Sequence, residues 1–278
     1  MTLIPTYRLT DGNDLPALGF GTYPMTGDEC VLATGTAIEA GYRLFDTAVY
    51  YGNEDAVGRA VAASGISREE FFLATKIPGP DHGKAAALAS IEGSLARLGT
   101  DYIDLYLIHW PNPSVGLYVE TFEAMISLQN QGRVRSVGVC NFTIEFLKKV
   151  KHETGVFPAV NQIELHPFFP QTELLEFHAA NGIRTESWSP LGKGSAMMGA
   201  EAVTAAASAH GVTPAQAMLR WHVQLGTIPL PKSADPVRQR ENLDVFGFEL
   251  SAAEMAAITG LGRKDGRLFD GDPTTHEE

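Results

Sequence analysis

The chain has 278 residues, 44% of them hydrophobic and 19% charged, and a formal net charge of -12 from 21 Lys and Arg against 33 Asp and Glu. That charge repels a phosphate backbone wherever no local basic patch overrides it, so nucleic acid is excluded as an expected partner. No apolar run approaches the ~20 residues of a membrane span, and the only cysteines, Cys30 and Cys140, are too few for a disulfide framework or a cysteine zinc site.

The opening M-T-L-I-P-T-Y-R-L-T lacks the basic region and long apolar stretch of a secretory signal. A cytoplasmic monomer is therefore the expectation. Strand and helix patterns alternate along the chain with no linker, repeat or low-complexity break, which predicts one domain over residues 1–278. A small hairpin comes first, Tyr7 to Leu9 against Leu15 to Ala17 with D-G-N-D as its turn. Strands are then predicted over Leu18 to Phe20, Leu44 to Asp46, Phe71 to Thr75 and Ile103 to Ile108. Four more follow over Val134 to Val139, Ala159 to Glu164, Arg184 to Ser187 and Thr227 to Leu230. Between them lie helical patterns such as Ala86 to Arg97 and Val119 to Asn130, with apolar residues three and four apart. Eight such alternations with right-handed crossovers close most naturally into a (β/α)8 TIM barrel, a fold that routinely takes ~250 residues as one unit. The alternative is an open doubly wound sheet. Its G-x-G-x-x-G fingerprint nearly occurs at Gly19-Phe20-Gly21-Thr22-Tyr23, but the last glycine position is Pro24.

One stretch concentrates the chemistry: L-F-D-T-A-V-Y-Y-G-N-E, from Leu44 to Glu54. It starts as a strand and ends at Asn53, a good helix N-cap, which puts Asp46 and Tyr51 where strand gives way to loop. Two later strands end in polar groups as well, F-F-L-A-T-K in Lys76 and I-D-L-Y-L-I-H in His109. In a parallel barrel all strand C-termini open on one face, so Asp46, Tyr51, Lys76 and His109 can meet in one pocket. A tyrosine with its ordinary pKa of about 10 is a poor acid unless its phenolate is stabilised. Lys76 is expected to supply that charge, Asp46 to keep Lys76 ionised despite burial, and His109 to orient a carbonyl oxygen. A structural ion pair and a core histidine are the bland alternative.

These segments resemble the aldo-keto reductases, and within them the bacterial branch that includes the 2,5-diketogluconate reductases. The matching motifs are G-F-G-T at Gly19, D-T-A-x-x-Y-G-N-E, A-T-K, D-L-Y-L-I-H-W, G-V-C-N-F, N-Q-I-E-L-H-P and P-L-P-K-S, spread from Tyr7 to about Leu261. The resemblance implies a barrel whose C-terminal tail lies over the active-site face, NADP(H) as cofactor and a small carbonyl compound as substrate. It places Gly21, Thr22 and Asp46 beside the cofactor and the amides of Asn141 and Gln162 on the nicotinamide carboxamide. Cys140 stands where the family usually has Ser, a weaker donor. Trp188 matches the aromatic under the nicotinamide ring, and Ser189, Leu191 and Gly192 belong to a loop over the pyrophosphate. Lys232, Ser233 and Arg238 match residues on the 2'-phosphate, while Glu241 and Asn242 lie near the adenine.

Tyr23, Tyr50 and Trp110 are the expected substrate wall, joined by the tail near Leu268 and Phe269. Asp235 departs from the Thr or Arg common at its position, which predicts a narrower preference for NADPH and some use of NAD(H). It is equally placed to cap a helix starting at Pro236. Two other functions fit part of the pattern. One is a nucleotide-sensing regulatory subunit on the same barrel, as in the potassium-channel β subunits. The other is a phosphate-binding isomerase or lyase barrel, which gives Asn141, Gln162 and Trp188 no common purpose.

Overall fold

A computed structural model describes residues 4–194, 196–268 and 271–278. The chain enters through a hairpin of β1 (Thr6–Arg8) and β2 (Asp14–Pro16), with Tyr7 opposite Leu15. Both strands lie one residue earlier than the sequence pattern indicates, because Leu9 is already in the turn. Its N–H donates to Asn13 O at 2.8 Å and its carbonyl accepts from Gly12, which holds the left-handed φ of 89°. Leu9 and Leu15 are buried in one cluster with Leu44 and Phe72, the first residues of their strands. The hairpin thus covers the amino-terminal end of the barrel interior.

The first half of the barrel runs β3 (Phe20–Gly21), α1 (Gly27–Ala40), β4 (Leu44–Asp46), α2 (Glu54–Ala63), β5 (Phe72–Ile77), α3 (Lys84–Leu98), β6 (Ile103–Ile108) and α4 (Tyr118–Asn130). The second runs β7 (Val134–Cys140), α5 (Ile144–Thr154), β8 (Val160–Glu164), α6 (Thr172–Ala180), β9 (Arg184–Trp188), α7 (Glu201–His210), α8 (Pro214–Gln224) and β10 (Ile228–Pro229). Two helices follow, α9 (Pro236–Leu243) and α10 (Ala252–Thr259). Strands β3 to β10 pair in chain order, all parallel. Gly19 and Gly21 donate to the carbonyls of Pro229 and Pro231 at 3.1 Å, joining the first strand to the last. This is the (β/α)8 barrel, and the doubly wound alternative, which leaves two sheet edges open, is excluded. The last strand is shorter than expected because Pro229 and Pro231 lack the N–H that a longer ladder needs.

The period-two alternation of side chains explains both the core and the site. Leu44, Phe72, Ala74, Leu105, Leu107, Val160 and Ile228 point into the barrel, whereas Phe45, Leu73, Ile77, Tyr106, Ile108, Val137 and Val139 pack outward against the helices. Each fully buried apolar side chain of this size contributes ~1.5–3 kcal/mol. Carried to the strand ends, the inward register falls on Asp46, Lys76, His109, Cys140 and Gln162. The interior is tight: a Cβ on Gly138 would sit 2.6 Å from Leu107 Cδ2 and 2.7 Å from Val160 O. Among the described residues no helix is long and apolar enough to cross a membrane, and no group of three or more His, Cys, Asp or Glu is placed to hold a metal ion.

Candidate active site

The polar cluster forms where β4, β5 and β6 end. Lys76, with no exposed side-chain surface, donates to Asp46 Oδ1 at 2.7 Å, Asp46 Oδ2 at 2.8 Å and Thr47 O at 2.8 Å. A longer contact of 3.3 Å runs from its ammonium to the Tyr51 hydroxyl. Burial works against the Lys76 charge, but Asp46 and the hydrogen bonds to it more than offset that, holding the ammonium above the ordinary lysine range. Tyr51 closes a one-turn helix, Val49–Tyr51, which Gly52 ends at φ 62°. Its ring lies 5.0 Å from that of Tyr23 and 5.5 Å from that of His109.

The phenol differs from expectation. Burial raises its pKa above the ordinary tyrosine value, and the Lys76 charge only partly opposes this. Desolvation outweighs one ammonium at 3.3 Å that is already shared with a carboxylate, so the resting group is a firmly protonated phenol. His109 follows β6, its N–H donating to Ile77 O at 3.1 Å and its carbonyl accepting from Asn141 Nδ2 at 3.1 Å. Burial pulls the imidazole below its ordinary range despite a carboxylate, Glu278, 2.6 Å from Nδ1.

Asn53 is the N-cap residue of α2 by position but makes no capping hydrogen bond. Its side chain instead accepts from Thr47 Oγ1 at 2.5 Å and donates to Met25 O at 2.8 Å, tying the loop after β4 to the loop after β3. Glu54 is likewise scaffold, buried between Thr75 Oγ1 and Arg97 Nε at 2.6 Å each.

The groups assigned to the nicotinamide end lie beside this cluster. Asn141 takes the left-handed φ of 62°, and its Oδ1 accepts from the half-buried Trp188 indole at 2.8 Å. Gln162 donates both amide protons inward, to Asp46 Oδ2 and Glu186 Oε2 at 2.9 Å each. That leaves Oε1 as its outward acceptor. Asn141 keeps one N–H and one lone pair, so the pair offers acceptors for an amide NH2 and a donor for an amide carbonyl. This donor set fits a carboxamide. Cys140 contributes less, being 1% exposed with a thiol that burial pushes well above its usual range. Ser189 and Lys193 both stand at φ 50°, with half-buried Leu191 and buried Gly192 between them. Such strained residues cluster at ligand-binding loops.

Gly21 lies against β10, where a Cβ would meet Leu230 O at 2.9 Å, and Thr22 donates to Asp46 O through N and Oγ1. At the start of α9, Lys232 and Arg238 are exposed. Ser233 is not. It is 8% exposed, and its hydroxyl braces the turn by accepting from Asp235 N at 3.1 Å. Asp235 caps α9, its Oδ1 accepting from Val237 N at 2.8 Å, and lies 3.9 Å from Arg238. Glu241 is half-buried and Asn242 buried.

On the substrate side Tyr23 and Tyr50 are 46% and 65% exposed, so this wall is open to solvent. Trp110 is covered by the tail, with His276 at 4.1 Å between ring centroids. Leu268 turns away to join Ile163, Leu165 and Met197, with its N–H on Glu164 Oε1 at 2.7 Å. Phe269 lies outside the described residues. A cleft of about 380 Å³ runs beside Asn141, lined by Glu164, Phe169, Gln171, Arg267 and Asp272 among others.

Two residues of the site were not expected from the sequence. Glu186 sits below Gln162 at the barrel centre, and burial with Asp46 nearby pushes its carboxyl up to about 8. Glu278 reaches His109 across 169 positions of sequence.

The chain is similar to known proteins along nearly its whole length. Residues 17–263 match the model of the aldo/keto reductase family. The chain is 58% identical over 278 residues to 2,5-diketo-D-gluconic acid reductase B of Corynebacterium sp. (strain SHS752001), covering all of both chains. It matches the crystal structure of an aldo/keto reductase from Brucella melitensis with TM-score 0.90 and 47% identity, over 93% of this chain and all of that one. A variant of Gox0644, solved in complex with NADPH, matches with TM-score 0.95 and 44% identity over the full length of both. With a family model spanning most of its length and a full-length relative this similar, the chain belongs to the aldo/keto reductase family.

Proposed function

We propose that the protein is an NADPH-dependent reductase of small aldehydes, ketones and keto acids, with Tyr51 as the proton donor. The observation that carries this reading is the Asp46–Lys76–Tyr51 contact, a protonated phenol touching a buried ammonium that a carboxylate holds in place. Reducing a carbonyl requires a hydride on carbon and a proton on oxygen, and bound NADPH supplies the hydride. Tyr51 has the proton to give, and Lys76 stabilises the phenolate that remains. His109 borders the same cluster and orients the substrate oxygen, as a donor to a carbonyl oxygen when its imidazole is charged. Asn141 and Gln162 hold the carboxamide through the free donor and acceptors described above, and Trp188 supplies an aromatic face. Lys232 and Arg238 hold the 2'-phosphate near the start of α9, in the region after the last strand where barrels commonly bind phosphate.

The relative named as a 2,5-diketo-D-gluconic acid reductase makes keto sugar acids the first substrates to examine. The open wall at Tyr23 and Tyr50 favours tolerance for other small carbonyl compounds. The test is loss of absorbance at the reduced-nicotinamide band when protein, NADPH and a panel of carbonyl compounds are mixed. Turnover of at least one of them is expected. NADPH binding without turnover of any would support the sensor reading instead, and neither binding nor turnover would support the isomerase.

A further inference from the structure

The reductase reading gives Glu278 no role, although its carboxylate meets His109. Its carboxylate is 6% exposed. It lies 2.6 Å from His109 Nδ1 through Oε1 and accepts from Gly79 N at 3.2 Å through Oε2. The surrounding segment is clamped to the loop after β6. Glu278 N donates to Asn112 Oδ1 at 3.3 Å, Asn112 Nδ2 donates back to Glu278 O at 3.5 Å, and Ser114 N donates to Glu277 Oε1 at 2.8 Å. Gly79 is a condition of this docking, since a Cβ there would lie 1.9 Å from Asn112 Nδ2 and 2.8 Å from Glu278 O.

An ionised carboxylate only accepts, so its hydrogen bond to His109 requires the proton on Nδ1. A neutral imidazole has one N–H. Nε2 is then a bare acceptor, and no described residue hydrogen-bonds to it. A carbonyl oxygen, itself an acceptor, finds no donor there, whereas an alcohol hydroxyl does. Only the imidazolium carries a proton on both nitrogens. We propose that Glu278 is a positioning residue that pins the His109 proton to Nδ1, so that the site receives a carbonyl oxygen well with His109 charged and an alcohol well with it neutral.

The consequence for turnover rests on the reductase reading; the position of the proton does not. The groups facing His109 are Asp46 from β4, Tyr50 and Tyr51 from the turn after it, Lys76 from β5, and Glu278. Burial and Lys76 oppose the charged imidazole, while Glu278 and Asp46 favour it. The net direction is downward, so the neutral form with a bare Nε2 prevails near neutral pH.

The test is long-range 1H–15N correlation spectroscopy of 15N-histidine-labelled, cofactor-free full-length protein near neutral pH, with His109 assigned by His109→Ala. A protonated Nδ1 and bare Nε2 are expected. In Glu278→Ala, and in Gly79→Ala, which keeps the carboxylate but dislodges the segment that carries it, the proton should move largely to Nε2. The pH profile of carbonyl reduction then reads the functional half. The parent kcat should fall as pH rises through the His109 titration, at a limit of about tenfold per pH unit, whereas Glu278→Ala should be flat over the same range. A protonated Nε2 in the parent, or one tautomer common to parent and both variants, overturns the proposal. Superimposable pH profiles overturn its functional half. Absence of any carbonyl reduction by the parent would instead fail the reductase reading, with the spectra deciding the position of the proton separately.

Discussion

The two ends of the proposed cofactor groove are built on opposite electrostatic plans. At the strand ends, Lys76, Asp46, Gln162 and Glu186 form a chain of contacts between 2.7 and 2.9 Å, each member at most 4% exposed. At the start of α9, Lys232 and Arg238 stand in solvent, and the Asp235 to Arg238 pair is 3.9 Å long with side chains 52% and 76% exposed. The first arrangement fixes charges where water cannot screen them. The second leaves them adjustable and sensitive to salt. Changes in the buried chain should therefore be large and alter both chemistry and stability, while changes at α9 should be small and alter cofactor choice alone.

Lys76→Met gives the largest expected effect. It leaves Asp46 buried without its counter-charge, and breaking a buried pair from one side typically costs ~3–5 kcal/mol of stability. Carbonyl reduction should fall by at least ~100-fold, because the phenolate of Tyr51 loses its stabilising charge. Thermal unfolding together with single-turnover reduction checks both halves. An active Lys76→Met enzyme of parental stability would erase the contrast between the two regions.

Tyr51→Phe should come next, with a loss of at least ~100-fold in turnover. Unlike Lys76→Met it leaves no buried charge unpaired, so stability and the dissociation constant for NADPH should barely change. Near-normal kcat in the purified variant would remove Tyr51 from the chemistry.

The barrel and its cluster were legible in the sequence because both rest on strict local periods. Alternation at two residues fixes which strand residues point inward, and Asp46, Lys76 and His109 each end an apolar run. What could not be read depended on burial or on distance along the chain. Lys76 acts on Tyr51 in the expected direction, but that burial outweighs it is not legible, since nothing local tells how far the phenol is desolvated. Glu186 lies inside R-T-E-S-W two residues before Trp188, but an inward carboxyl is only tolerable when an amide such as Gln162 meets it. Residues 271–278 form no helix or strand, and their sequence carries no period that would announce Glu278 at His109. Asn53 and Glu54, by contrast, belong to the same motif as Asp46 and Tyr51 and turned out to be its supports.

Glu186 also gives the third test, through pH. Its carboxyl is raised to about 8, first by burial and then by Asp46, above the ordinary value of 4.5. Between those values the folded chain binds a proton that the unfolded chain has lost, so this group makes stability decline as pH rises from about 4.5 to 8. Glu186→Gln is neutral throughout and nearly isosteric. It should flatten the decline, by an amount on the order of 1 kcal/mol per pH unit at most. Denaturant titrations at several pH values would show it, and parallel curves for parent and variant would mean that Glu186 is ionised in the folded state.

The smallest effect belongs to Asp235, where two roles can be separated. The carboxylate caps α9 through Val237 N and also places negative charge beside Arg238, one of the two cations proposed to hold the 2'-phosphate. Arginine there would alter both, since it removes a cap worth ~1 kcal/mol while reversing the charge. Asp235→Asn is the cleaner change, because asparagine caps as well as aspartate and carries no charge. Exposed pairs are worth ~0.2–1 kcal/mol, so NADPH should bind up to about fivefold more tightly in Asp235→Asn at low salt. NADH lacks the 2'-phosphate and should bind as in the parent. The gain should shrink as ionic strength brings the Debye length to about 8 Å or less. Equal changes for both cofactors, or a gain indifferent to salt, would mean that Asp235 acts only through the helix, and the adjustable end would then be as rigid as the buried one.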